Sequence, residues 1–102
     1  MALKLSSATG LFDQHLAAAG RGHADAYFQL GIAFSTGTDG CAIDMIEAHK
    51  WFNLAALSGV SEAAALRADV ASDMDREEIA EAQRQARAWL SGLSTEAVRR
   101  AA

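Results

Sequence analysis

The stretch from residue 22 to residue 59, GHADAYFQLGIAFSTGTDGCAIDMIEAHKWFNLAALSG, decides how this chain folds. It opens and closes on a glycine, and two apolar-periodic segments flank the glycine-rich loop Gly37-Thr38-Asp39-Gly40. In the first segment Ala26, Leu30 and Ala33 recur at helical spacing with Phe34 beside them, which predicts a helix over residues 23–35. In the second, Asp44 and Glu47 form an Asp-x-x-Glu capping box, in which each side chain can satisfy a free amide at a helix start. Met45, Ala48, Phe52 and Ala55 follow on one face, and Gly59 stands where a left-handed C-terminal cap is needed.

Outward from this block the pattern stays helical. Ala8, Phe12, Leu16 and Ala19 share a face, predicting a helix over residues 7–19 that stops at Gly20 and Gly22. A fourth helix is expected from Ser61, burying Ala63, Leu66 and Val70. A fifth starts at Asp75, where Glu78 completes a second capping box, and carries Ile79, Ala82, Ala86, Trp89 and Leu93 on one stripe. Its acids come first and Arg84 and Arg87 later, as the helix dipole favours. Ser94 is expected to cap a short sixth helix through Arg100. No stretch alternates apolar and polar residues with β-branched enrichment, so the fold class is all-α, with five or six helices.

The chain also repeats itself. Ala55, Ala56 and Gly59 stand 37 positions after Ala18, Ala19 and Gly22, and Glu62-Ala63 answers Asp25-Ala26 at the same shift. Ala48-x-x-Trp51 returns as Ala86-x-x-Trp89 at a shift of 38. Two helices per period of this length describe αα-hairpins, which bury their apolar faces only by stacking. Alanine allows close helix crossing, glycine closes the turn where a β-carbon would clash, and tryptophan covers the joint between hairpins.

In order along the chain, Ala26, Phe28, Leu30, Gly31, Phe34, Gly37, Asp44, Ala48, Trp51, Phe52, Ala55, Ala56 and Gly59 match a known pattern. It is that of the Sel-one-like branch of the tetratricopeptide-like repeats, and the chain resembles a short bacterial member. The resemblance implies a right-handed αα-hairpin solenoid, with residues 1–102 as a single repeat domain. Residues 22–59 form the complete repeat, residues 7–22 a degenerate N-terminal helix, and residues 60–102 a degenerate repeat with C-terminal capping helices. The loop departs from the pattern: Asp39-Gly40-Cys41 replaces a glycine-hydrophobic pair, with one residue extra. Gln14 stands where Trp51 recurs, and Arg67-Ala68 replaces the Leu-Gly pair of Leu30-Gly31.

Composition narrows the function. Apolar residues make up 51% of the 102, too many for a disordered segment and enough for one modest core. The formal charge of −4, without a basic patch, argues against nucleic acid as the partner. A single cysteine, Cys41, suits a reducing compartment, the N-terminal residues lack a signal-peptide pattern, and no apolar run approaches the roughly 18–20 residues of a membrane span. A soluble cytoplasmic protein is the expectation.

Chemistry-bearing residues are sparse. His15, His23 and His49 share no helical i, i+4 spacing and no Glu-x-x-His frame, so surface or partly buried histidines are expected rather than a metal site. Cys41 has no base near it in sequence. The Gly37–Gly40 loop lacks the Gly-Lys-Ser/Thr of a phosphate cradle, and the acids from Asp69 to Glu78 lack calcium-loop spacing. Neither catalytic residue, cofactor nor metal is therefore expected. The resemblance implies a scaffold or adaptor that binds another protein along a helical groove. A permanent regulatory subunit of a larger enzyme is the alternative, a small metal-dependent enzyme a more distant one, and self-association would help a chain with one full repeat. Three residues are candidates for the contact. Tyr27 stands at a place usually polar in the repeat, either lining the groove or packing on the preceding helix. Ile46 and Leu57 fall off the main stripe of their helix, either as partner patches or as contacts to the preceding helix.

Overall fold

The structure, a computed structural model, describes the backbone of residues 2–38 and 40–101 and the side chains of residues 10–38, 40–95 and 99. Among these residues the regular secondary structure is all helix, with no strand. Five helices follow in order: α1 (Ala2–Gly20), α2 (Ala24–Thr36), α3 (Met45–Leu57), α4 (Ala63–Ala71) and α5 (Arg76–Ala101). Ala8 of the expected first-helix face, and Asp39 of the glycine-rich loop, lie outside the described side chains.

α3 is the hub, packing against α2, α4 and α5, while α1 packs on α2. The start of α3 meets the end of α2, and the later turns of α3 meet the early turns of α2. The Asp44 amide reaches the Phe34 carbonyl at 2.9 Å, Phe28 meets Phe52, and Tyr27 meets Trp51. The two helices are therefore antiparallel. Their close approach depends on Gly31, where a β-carbon would stand 2.5 Å from the Phe52 ring. The Leu30-Gly31 pair thus has a packing reason: Leu30 is fully buried and Gly31 admits the ring beside it.

The turns carry the repeat in hydrogen bonds. At the end of α1, Gly22 N–H donates to Ala19 O (2.9 Å) and His23 N–H to Ala18 O (3.1 Å). At the end of α3, Gly59 N–H donates to Ala56 O (3.2 Å) and Val60 N–H to Ala55 O (3.0 Å). These are the paired bonds of a Schellman cap, repeated 37 residues apart. Gly22 and Gly59 adopt φ of 80° and 100°, left-handed conformations in which a side chain is strained. The expected clash is not the cause, since a β-carbon on Gly59 would meet nothing within 4 Å. Conformation, not space, selects glycine there.

The two capping boxes differ. At α5 both halves form: Asp75 Oδ1 accepts from Glu78 N–H (2.8 Å) and Glu78 Oε1 from Asp75 N–H (2.9 Å). At α3 Asp44 Oδ1 accepts from Glu47 N–H (3.1 Å), but the Asp44 amide is already bonded to Phe34 O. The Glu47 carboxylate is thereby released to accept from Trp51 Nε1 (3.0 Å) and to pair with Lys50 (2.9 Å).

Three sequence expectations are corrected. α1 begins at Ala2 rather than residue 7, since no proline stands in its first turns to prevent helix. Leu16 is 40% exposed, off the face that buries Ala19. The chain does not break at Ser94: α5 continues to Ala101, and an intrahelical bond from Thr95 Oγ1 to Ser91 O replaces any capping bond there. There is no sixth helix among the described residues.

Two apolar clusters form the core. One gathers Ala19, Ala26, Tyr27, Leu30, Trp51, Leu54, Ala55, Ala63 and Ala86. The other centres on Ala48, Phe52 and Val70, with Met45, Leu66 and Met74 against it.

Candidate partner-binding surface

The candidate Tyr27 is not at the surface. It is 1% exposed, stacked on Trp51 with ring centroids 5.8 Å apart and planes 26° from parallel. Its hydroxyl accepts a bond of 3.2 Å from Trp89 Nε1 on α5. Trp89 in turn meets Trp51 edge-on at 4.9 Å. Of the two placements its sequence position allows, lining a groove or packing on a helix, a groove contact does not fit a side chain buried against α3 and α5. The aromatic instead joins three helices. Trp51 and Trp89 hold the joint between the helices that carry them, with Trp51 buried and Trp89 half-buried. Ala26, Leu30, Gly31, Ala48 and Ala55 are buried with them and Ala56 is half-buried.

Ile46 and Leu57 lie on the other side of α3. Ile46, Lys50, Asn53 and Leu57 succeed one another at spacings of four, three and four, so they share one helical stripe. Leu57 is 66% exposed, and Ile46, Lys50 and Asn53 are half-buried. Lys50 extends over the Trp51 ring with its Nζ 4.7 Å from the centroid while paired to Glu47. Asn53 Oδ1 accepts from Arg67 Nη1 of α4 at 2.7 Å. The stripe thus has an apolar residue at each end, with Lys50 paired to Glu47 and Asn53 holding Arg67 of α4 between them.

Sequence reasoning missed two features. Ile43, in the loop before α3, is 60% exposed, and the absence of a helical period there hid it. His49 is 4% exposed, with a buried Nδ1 that has no hydrogen-bond partner. Its stripe with Met45 and Phe52, at spacings of four and three, is the signal that could have found it. Burial first, and the Arg67 charge second, hold its imidazole below the ordinary value of 6.5.

The other chemistry-bearing residues stay apart: among the described residues no three His, Cys, Asp or Glu side chains gather as a metal site would require. Cys41 Sγ contacts the Thr38 carbonyl at 3.0 Å. Among the described residues no helix is long and apolar enough to cross a membrane. No family model, curated protein or solved structure matches the chain.

Proposed function

We propose that the chain is a non-catalytic interaction module, a short right-handed stack of αα-hairpins of the Sel-one-like, tetratricopeptide-like kind, serving as a cytoplasmic adaptor or scaffold. The recurrence of one turn geometry at Gly22 and Gly59 carries this reading, because two like turns orient successive hairpins alike. The resemblance of residues 22–59 to the Sel-one-like repeat adds to it. The partner is another protein, and the outer stripe of α3 from Ile46 to Leu57 is its contact. Leu57 supports that placement: a large apolar side chain two-thirds exposed beside the turn contributes little to the chain's own core.

A photo-crosslinking residue at the exposed position 58, placed both in the otherwise wild-type chain and in one carrying Leu57→Asp, tests the proposal in extracts of the native host. The expected result is one discrete crosslinked protein, or a second copy of the chain, that Leu57→Asp no longer captures while its Tm stays unchanged. Equal capture by the wild-type chain and Leu57→Asp, or no crosslink, would overturn the placement of the contact on α3.

A further inference from the structure

We infer that His49 makes the docking of α4 on α3 acid-sensitive, so that protonation of this buried imidazole loosens α4 and uncovers the apolar cluster around Phe52. The inference stands on three observations and does not depend on the proposed partner.

The first is burial without a partner. His49 is 4% exposed and its Nδ1 has no hydrogen-bond partner. A neutral imidazole tolerates a bare acceptor nitrogen; the protonated ring turns it into a cationic N–H donor. That donor would have no acceptor in a site closed to water, which is costly.

The second is the charge around it. The charge that acts on His49 is the Arg67 guanidinium of α4, tethered one turn along α3 by its bond to Asn53 Oδ1. The carboxylates of the packed elements are exposed or engaged elsewhere. α2 carries Asp25, exposed in its first turn, and α4 carries the exposed Asp69. On α5 Glu77 is exposed, Glu78 is bonded to the Asp75 amide, and Glu81 is bonded to Arg84 and Gln85. On α3 itself Glu47 is held by Trp51 and Lys50. A second cation at position 49 would therefore meet repulsion from Arg67 with no carboxylate committed to offset it.

The third is the element that can give way. α4 has nine residues; Glu62 makes no side-chain bond at its start, and at its end Ser72 Oγ donates to Asp69 O at 2.7 Å. Ala63, Leu66 and Val70 hold it to the core, and Val70 and Leu66 pack in the cluster of Phe52 and Ala48. A short helix with few docking residues opens before the longer ones around it.

The sign follows from linkage. With α4 open, the ring regains water and titrates near 6.5; docked, it is held below that. The open form therefore binds more protons, so docking is undiminished above pH 6.5 and weakens as pH falls through and below it.

Amide hydrogen exchange on the intact chain tests this between about pH 7.5 and about pH 5, corrected for intrinsic rates, with α5 as the internal reference. We expect protection in residues 63–71 to fall severalfold relative to α5 in the wild-type chain. His49→Gln should abolish that fall, and Arg67→Gln, which removes the repulsion but leaves the burial, should weaken it. NMR titration of the wild-type His49 ring needs no variant and should inflect below 6.5. An inflection at or above that value, α4 protection that does not change with pH, or an undiminished fall in His49→Gln would each overturn the inference.

Discussion

The indole N–H of Trp89 is bonded to the Tyr27 hydroxyl at 3.2 Å, across 62 positions of sequence. With Trp51 between them at 5.8 Å and 4.9 Å, these residues tie α2 to α5. α2, α3 and α5 are therefore joined through one aromatic core. That joint makes Tyr27 a stability residue and sets the first expectation.

Tyr27→Phe keeps the stacking and loses one partly buried hydrogen bond, so it should cost about 1 kcal/mol. Tyr27→Ala should cost about 3–5 kcal/mol, as should Trp51→Ala, because each empties a buried aromatic site. Urea unfolding followed by circular dichroism measures all three. A Tyr27→Ala loss below that of Tyr27→Phe would contradict the aromatic joint.

Gly31→Ala tests the α2–α3 approach. Its β-carbon would lie 2.5–2.9 Å from three atoms of the Phe52 ring, which is 1% exposed and hemmed in by Ala48 and Val70. Overpacking of this kind should cost about 1–3 kcal/mol although alanine favours helix. The pair Gly31→Ala with Phe52→Leu should recover part of that loss in a double-mutant cycle.

Gly22→Ala and Gly59→Ala should cost similar amounts, about 1–2 kcal/mol each, because both turns require a left-handed φ and neither crowds a β-carbon. The same substitution at Gly92, which lies within α5 and faces open space, should instead be stabilising by up to about 1 kcal/mol. Thermal melts of the three variants separate the two roles of glycine. Unequal costs at Gly22 and Gly59 would show that the two turns are not energetic equivalents.

Asp75→Ala should cost about 1–2 kcal/mol, since it exposes the Glu78 amide and unlatches a complete box. Glu78→Ala should share part of that cost. Glu47→Ala at the other helix start should act differently, because its carboxylate bonds the Trp51 indole rather than the cap amide. Trp51 fluorescence should shift in Glu47→Ala and not in Glu78→Ala.

The hairpin of residues 22–59 was legible because its signals are local. Glycines at fixed spacing, alanine stripes and an Asp-x-x-Glu start each act within a turn or two of the chain. The aromatic joint was not legible as a joint. Which way Tyr27 points depends on α5, laid against it from 62 residues away, and neither periodicity nor propensity encodes that distance. The break expected at Ser94 failed for the opposite reason. A serine without a following glycine or proline is too weak a stop to interrupt a helix whose apolar stripe runs on. Ile46 and Leu57 were legible only as exceptions to a stripe; the structure places them with Lys50 and Asn53 on a stripe of their own.

The bond from the Asp44 amide to the Phe34 carbonyl acts as a neck. It fixes where α2 ends and α3 begins independently of the segment between them, which Gly37 starts in a left-handed turn. The helix register is thereby insulated from loop length, and extra residues inside the neck cost only closure entropy that grows slowly with length. The bond also marks the segment between Thr38 and Ile43 as the place where an epitope, a fluorophore-binding sequence or a whole guest domain could be spliced in without disturbing the pairing of α2 and α3.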